Sequence, residues 1–177
     1  SPQSRGVTKG IIPLIRQAED SIDISIFFLT HNKISKELVF AHERGVKVRV
    51  ILDATAAKNG YSKHNYLRKH GIDVKVENWG GKMHMKAAVF DKKHVVVGSM
   101  NWTKAGEKKN DENTIIIKNS PKHANQLFFF FEEMWNSIPA RWLLEDPNPE
   151  SKESGTSCYD LIDNDFDKII DSNEMEC

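Results

Sequence analysis

Short, almost wholly apolar runs that alternate with helically spaced ones constrain this chain most. Ser21–Leu29 carries Ile22, Ile24 and then the nearly continuous Phe27-Phe28-Leu29, and Val46–Leu52 is a second such run, ending at Asp53. A strand with one face in water shows polar residues at every second position, so runs this apolar read as strands covered on both faces. Around them the spacing changes. Gly6–Asp20 has Val7, Ile11, Leu14, Ile15 and Ala18 at helical intervals despite Pro13. Asn32–Arg44 reads as a helix closed by Gly45, and Tyr61–His70 as one closed by Gly71. Val74–Val76 adds a strand, Asn113–Ile117 a last one, and Pro121 starts a helix through Trp135. The alternation predicts an α/β fold: a mixed, largely buried sheet flanked by helices.

Between these elements, after Gly80-Gly81, lies a predicted hairpin. Met83–Phe90 would be its first strand, with His84, Lys86 and Ala88 on one face because strand side chains alternate. Asp91-Lys92-Lys93-His94 is a polar turn, and His94–Val97 returns as an apolar strand ending in Gly98-Ser99. Asn101 and Trp102 follow. An imidazole, an ammonium, a hydroxyl and an amide on adjacent strand ends suit a phosphate diester: one attacks or donates a proton, and the others hold the phosphoryl oxygens.

The residues His84-x-Lys86-x-x-x-x-Asp91 followed by Gly98-Ser99-x-Asn101-Trp102 resemble the signature of the phospholipase D superfamily. The continuation Thr103–Asn113 is similar to its small bacterial Nuc-type endonuclease branch, and the likeness runs over roughly residues 6–137. The resemblance implies the same α/β architecture and a phosphohistidine mechanism. His84 of one subunit would attack phosphorus, and the partner's His84 would protonate the leaving oxygen. Lys86, Ser99 and Asn101 would clamp the non-bridging oxygens, with no cofactor needed for catalysis. Glu112 matches the position that bonds the His and sets its tautomer. Asp91 belongs to the catalytic motif, but its place in the turn predicts a structural ion pair. Trp102 walls the site, stacks a base or packs in the core, and Lys104 joins the substrate-binding set. Many relatives carry two copies of the motif, whereas this chain has one, so a symmetric homodimer is expected.

Charge supports a polyanionic partner. The net charge is zero, yet residues 145–177 hold 11 of the 25 acidic residues and two of the 25 basic ones, leaving 1–144 at +9. Lys58, Lys63, Lys92, Lys93, Lys104, Lys108 and Lys109 flank strand ends and could track a phosphate backbone. His31, His42, His64, His70 and His123 are expected at the surface, and His94 in the hairpin turn. Phe128–Phe131 with Trp135 reads as a bulky apolar stripe that could touch lipid, though a helix covering a sheet or meeting a dimer partner explains it better. No run approaches the ~18 apolar residues of a membrane span, so no stable membrane insertion is expected. The first residue is Ser, as in a processed or trimmed product.

Composition divides the chain into a nuclease domain over 1–144, a Pro/Ser/Gly-rich linker over 145–157 and a tail over 158–177. In the tail, Asp163, Asp165, Asp167, Asp171 and Glu174 place oxygen donors at loop positions 1, 3, 5, 9 and 12. The carbonyl of Ile169 falls at position 7, as in an EF-hand calcium loop. Lys168 stands where that loop wants Gly, so calcium affinity should be weak; the alternative is a disordered acidic tail. Cys158 and Cys177 bracket the loop, and a bridge would add roughly 3 kcal/mol on the chain-entropy model. Both features suit a secreted or periplasmic protein.

The expected function is a non-specific endonuclease cleaving DNA, with RNA left open, through a phosphohistidine at a homodimer interface. Two competitors stand beside it: a phospholipase D-type lipid phosphodiesterase and a catalytically silent nucleic-acid-binding module.

Overall fold

The computed structural model describes residues 7–79 and 82–148. The elements run α1 Val7–Gln17, β1 Ser21–Ile26, α2 Asn32–Glu43, β2 Lys47–Leu52, α3 Ala54–Ala57, α4 His64–Lys69, β3 Asp73–Val76, β4 Lys86–Phe90, β5 His94–Gly98, α5 Lys104–Lys108, β6 Thr114–Ile117 and α6 Pro121–Ser137. A 3₁₀ turn at Ala140–Leu143 follows. The calcium-loop residues, Cys158 and Cys177, the N-terminal residues 1–6 and Gly80-Gly81 lie outside the described residues.

The strands form one six-stranded sheet in the order β3-β2-β1-β4-β5-β6. β1 pairs with β2, and β2 with β3, in parallel through helical crossovers. The β1–β4, β4–β5 and β5–β6 pairs are antiparallel. Sheet, helices and mixed strand directions agree with the expectation from alternation. β1 and β2 lie inside the sheet, which is why their sequences lack the polar half of an alternating pattern.

One face carries α1, α2 and α4. Ile11, Leu14 and Ile15 of α1 and Ile34, Leu38 and Ala41 of α2 close over Ile22, Ile24, Val48, Val50, Val74 and Phe90. Burial of this stripe holds α1 together despite Pro13, whose missing N–H removes one helical bond. The other face belongs to α6. Phe131 and Met134 pack with Ile51 and Met83, while Ala124 meets Val89 and Val95. The Phe128–Phe131 stripe is therefore divided: Phe131 is core, whereas Phe129 and Phe130 are exposed.

Under α6 lies an ion cluster. Arg49 donates to Asp23 at 2.8 Å and also holds Glu132 of α6, with its guanidinium 4.9 Å from the Phe131 ring centroid. Lys75 Nζ donates to the carbonyls of Trp135 and Ile138 at the helix C-terminus, where an ammonium meets unsatisfied carbonyls and the negative dipole end.

Two expectations are corrected here. His31 and His64 are buried rather than superficial. His31 Nδ1 accepts the Ile34 N–H as the cap of α2 and its Nε2 meets Glu107 at 3.0 Å, so a helix end and a carboxylate draw it inward. His64 lies between Ser62 and Asp146. Asp146 also contacts the body, through His64 and Arg68. Burial pushes the Asp146 carboxyl up, but His64 and Arg68 together hold it below the usual carboxylate range.

Candidate active site

Regular pairing in β4 starts at Lys86, so His84 precedes the strand instead of lying within the expected Met83–Phe90 run. Residues 83–85 still approach β1: Phe27 N–H donates to Met85 O at 2.9 Å. Met83 and Met85 join the apolar cluster under α6. His84 is exposed, with its ring centroid 4.7 Å from that of Phe27. Lys86 is the opposite case. Only 6% exposed, it places Nζ 5.0 Å from the same Phe27 ring and donates to the His84 carbonyl at 2.7 Å. Burial lowers the ammonium's pKa, while the carboxylates of Glu112 and Asp53 pull it back up. A buried ammonium with hydrogens to spare beside an exposed imidazole is a partial anion site.

The second wall comes from the chain after β5. Ser99 N–H donates to Asn113 Oδ1, its hydroxyl donates to the Glu112 carboxylate, and that hydroxyl accepts Asn113 N–H at 3.1 Å. Gly98 permits this closeness, because a Cβ there would stand 2.3 Å from the Asn113 carbonyl. Asn110 donates to the other Glu112 oxygen at 3.1 Å. Within this chain Glu112 is thus engaged by Ser99 and Asn110, not by His84. Asn101 Oδ1 accepts Phe28 N–H at 3.1 Å, which leaves its NH2 as the donor for a ligand oxygen. Phe27 and Phe28 link the two walls: one contacts His84 and Lys86, and the next binds Asn101.

Trp102 and Asp91 lie away from these two walls. Trp102 is 1% exposed and cannot stack a base. Its N–H donates to Phe28 O, and its carbonyl accepts from Thr30 and His31, so the backbone bridge to Leu29 draws the indole into the core. Asp91 sits at the far end of β4 from Lys86, beyond reach of a phosphate bound there. Instead of an ion pair, its carboxylate accepts backbone N–H groups of Glu19, Asp20 and Ser21, the closest at 2.8 Å. Lys92 and Lys93 share that turn, and Lys92 Nζ lies 4.0 Å from the Phe128 ring centroid. Lys104 is exposed at the start of α5, a short helix capped by Thr103.

Sequence reasoning missed Phe27, read only as strand core, and two carboxyls beneath the site. Asp53 and Glu77 are both completely buried. Asp53 accepts Ala56 N–H at 3.1 Å and Met83 N–H at 2.9 Å, and Glu77 accepts Ala54 N–H at 3.1 Å and Trp79 N–H at 2.7 Å. Burial, and then the charge of Asp53, push the Glu77 carboxyl up to about 8. The only signal was an Asp directly after an apolar strand. Among the described residues, no group of three or more His, Cys, Asp or Glu is placed to hold a metal ion.

A family described as "Cardiolipin synthase, PLD-like domain" matches residues 11–135. A protein named phospholipase D from Rickettsia conorii is 41% identical over 113 residues, which are 64% of this chain and 56% of that relative's length. Two solved structures share the fold. Nuc from Salmonella typhimurium, described as a phospholipase D family member, has a TM-score of 0.73 at 30% identity, covering 77% of this chain and 91% of that one. NucT from Helicobacter pylori has a TM-score of 0.72 at 25% identity, covering 77% and 92%.

Proposed function

Because the chain belongs to the phospholipase D-like family, we propose that it is a phosphodiesterase, specifically a non-specific endonuclease working as a homodimer. The observation that carries this is the exposed His84 imidazole beside buried Lys86, both held on Phe27. In the first step the His84 imidazole attacks phosphorus and forms a P–N bond as the P–O bond to the leaving strand breaks. The partner subunit's His84 gives its proton to the leaving oxygen. In the second step water attacks phosphorus, the partner's His84 takes the proton released, and the P–N bond breaks to restore the imidazole. Lys86 and the Asn101 NH2 neutralise and orient the non-bridging oxygens, a charge stabilisation that needs no metal. Two histidines with opposite proton occupancy follow from one motif per chain.

The +9 charge of residues 1–144 supports a nucleic-acid substrate. Lys104, Lys108 and Lys109, exposed on and just after α5, are candidates for the strand leading to the site. Exposed Ile115, Phe129 and Phe130 support a dimer contact. The same three residues favour a second reading, a lipid phosphodiester, since apolar surface could meet acyl chains. No helix among the described residues is long and apolar enough to cross a membrane.

Calcium on Asp163, Asp165, Asp167, Ile169, Asp171 and Glu174, a Cys158–Cys177 bridge and a secreted or periplasmic location belong to the same proposal. A calcium-dependent rise in melting temperature, lost in Glu174→Ala, tests the metal. The decisive experiment is cleavage of plasmid and single-stranded DNA in excess EDTA by wild type and His84→Ala. Cleavage by wild type alone supports the reading. DNA intact in both, with a phospholipid hydrolysed by wild type, replaces it with the lipid reading.

A further inference from the structure

The Asp53–Glu77 pair has no part in the chemistry above, and nothing in it is exposed to substrate. Two carboxyls in hydrogen-bond contact at zero exposure are costly unless they share a proton. Their placement offers a reason to keep them. Asp53 follows β2 and caps α3, Glu77 follows β3, and together they accept four backbone N–H groups: Ala54, Ala56, Trp79 and Met83. Met83 immediately precedes His84. In antiparallel β4 the ladder begins only at Lys86. The Asp53 bond to Met83 N–H and the Met85 carbonyl flank the exposed imidazole, and Lys86 Nζ holds the His84 carbonyl between them.

We propose that Asp53 and Glu77 are a positioning pair for His84, sharing one proton and so fixing Met83 N–H beneath the site, and that loss of that proton releases the His84 segment. The inference rests on the reading of His84 as the reacting group, but the clamp itself exists without substrate. With one proton, Glu77 donates to Asp53, and Asp53 stays an ionised acceptor for Met83 and Ala56. With none, two like charges face each other in a site closed to water. They separate only by giving up the amides that hold them, and Met83 is on the segment not yet secured in the sheet. The other charged groups facing the pair are Lys82, on the same segment, and Lys86 of β4. Both are cations that draw on the Asp53 charge, so they favour Glu77 as the carrier of the shared proton.

The test is hydrogen exchange of individual amides in the wild-type full chain and in Glu77→Gln, from pH 6 to 9.5, with exchange rates corrected for intrinsic base catalysis. Wild-type Met83 should lose about tenfold in protection per pH unit above the transition, as loss of a single proton requires, while amides in the middle of β4 keep theirs. In Glu77→Gln, whose side chain cannot ionise, Met83 should stay flat. Met83 protection that ignores pH in wild type overturns the clamp, and so does loss shared equally with the middle of β4. If Glu77→Gln fails to fold, the wild-type contrast between Met83 and mid-β4 still decides. Kinetics separate the clamp from the functional reading. The alkaline limb of kcat should lie near the Glu77 transition in wild type and shift upward in Glu77→Gln, with KM moving less. A pH-switching Met83 in a protein that cleaves no DNA leaves the clamp standing and removes the nuclease. His84-dependent cleavage with an invariant Met83 does the reverse.

Discussion

At the Lys86 end of β4 the polar groups still have capacity for a ligand, whereas at the Asp91 end the carboxylate is already used. His84 is exposed, Lys86 spends one hydrogen on a carbonyl, and Asn101 keeps its NH2. Five residues from Lys86, Asp91 gathers the N–H groups of Glu19, Asp20 and Ser21, and so ties the α1–β1 connection to the hairpin. Asp91 and Lys92 both adopt φ of 51°, and Lys93 N–H returns to Phe90 O at 2.9 Å, a tight turn of the primed hairpin kind. One motif thus contains an end with donors open to a ligand, proposed as the reacting end, and an anchoring end. The difference teaches that motif membership and chemical participation are separate properties.

The largest expected effect separates them from the reacting side. His84→Ala should lower DNA cleavage by about a thousandfold or more while melting within a degree or two of wild type, because the imidazole is exposed; parallel turnover and thermal unfolding measurements check this. Asp91→Ala should do the opposite. Removing a carboxylate that accepts three amides should cost about 1–3 kcal/mol in denaturant unfolding, with kcat little changed at saturating substrate. A collapse of kcat in Asp91→Ala with stability intact would erase the distinction.

Glu77→Gln gives a smaller, pH-dependent effect. The native carboxyl sits at about 8, while the unfolded one titrates near ~4.3. Between those values unfolding releases a proton that the native state keeps, so stability from this group is full below the unfolded value and declines as pH rises to about 8. Melting temperatures at pH 5 and pH 8 should therefore differ less in Glu77→Gln than in wild type. Lys92→Ala, at the anchoring end, should lose only about 0.5–1 kcal/mol from its contact with the Phe128 ring, and cleavage should not change.

A second pair of regions sharpens the point about charge. Asp23 and Glu132 are buried or half-buried carboxylates that share Arg49, so opposite charge compensates them under α6. Among the described residues, Asp53 and Glu77 face Lys82 and Lys86 at longer range, with no guanidinium bridging them, and in the proposed clamp they share a proton. The compensated cluster fastens a helix to a sheet. The proton-sharing pair is the one proposed to change state with pH, and it lies beneath the site.

By itself the amino-acid sequence determined the α/β class, the position of nearly every long element and the His84–Asn101 constellation. Apolar periodicity reports directly which faces are covered, and the motif residues lie close along the chain. Only the tertiary structure decided what distant residues do. Trp102 is core because its backbone bridges to Leu29, and His31 is buried because α5 brings Glu107 to it. Asp91 is an anchor because β4 runs antiparallel to β1 and places that carboxylate over the amides of residues 19–21. Asp53 and Glu77, 24 positions apart, meet because β2 and β3 are parallel neighbours that end at the same level. Local pattern encodes burial. Which polar groups meet depends on strand order and register, and these follow from how the whole set of apolar faces closes.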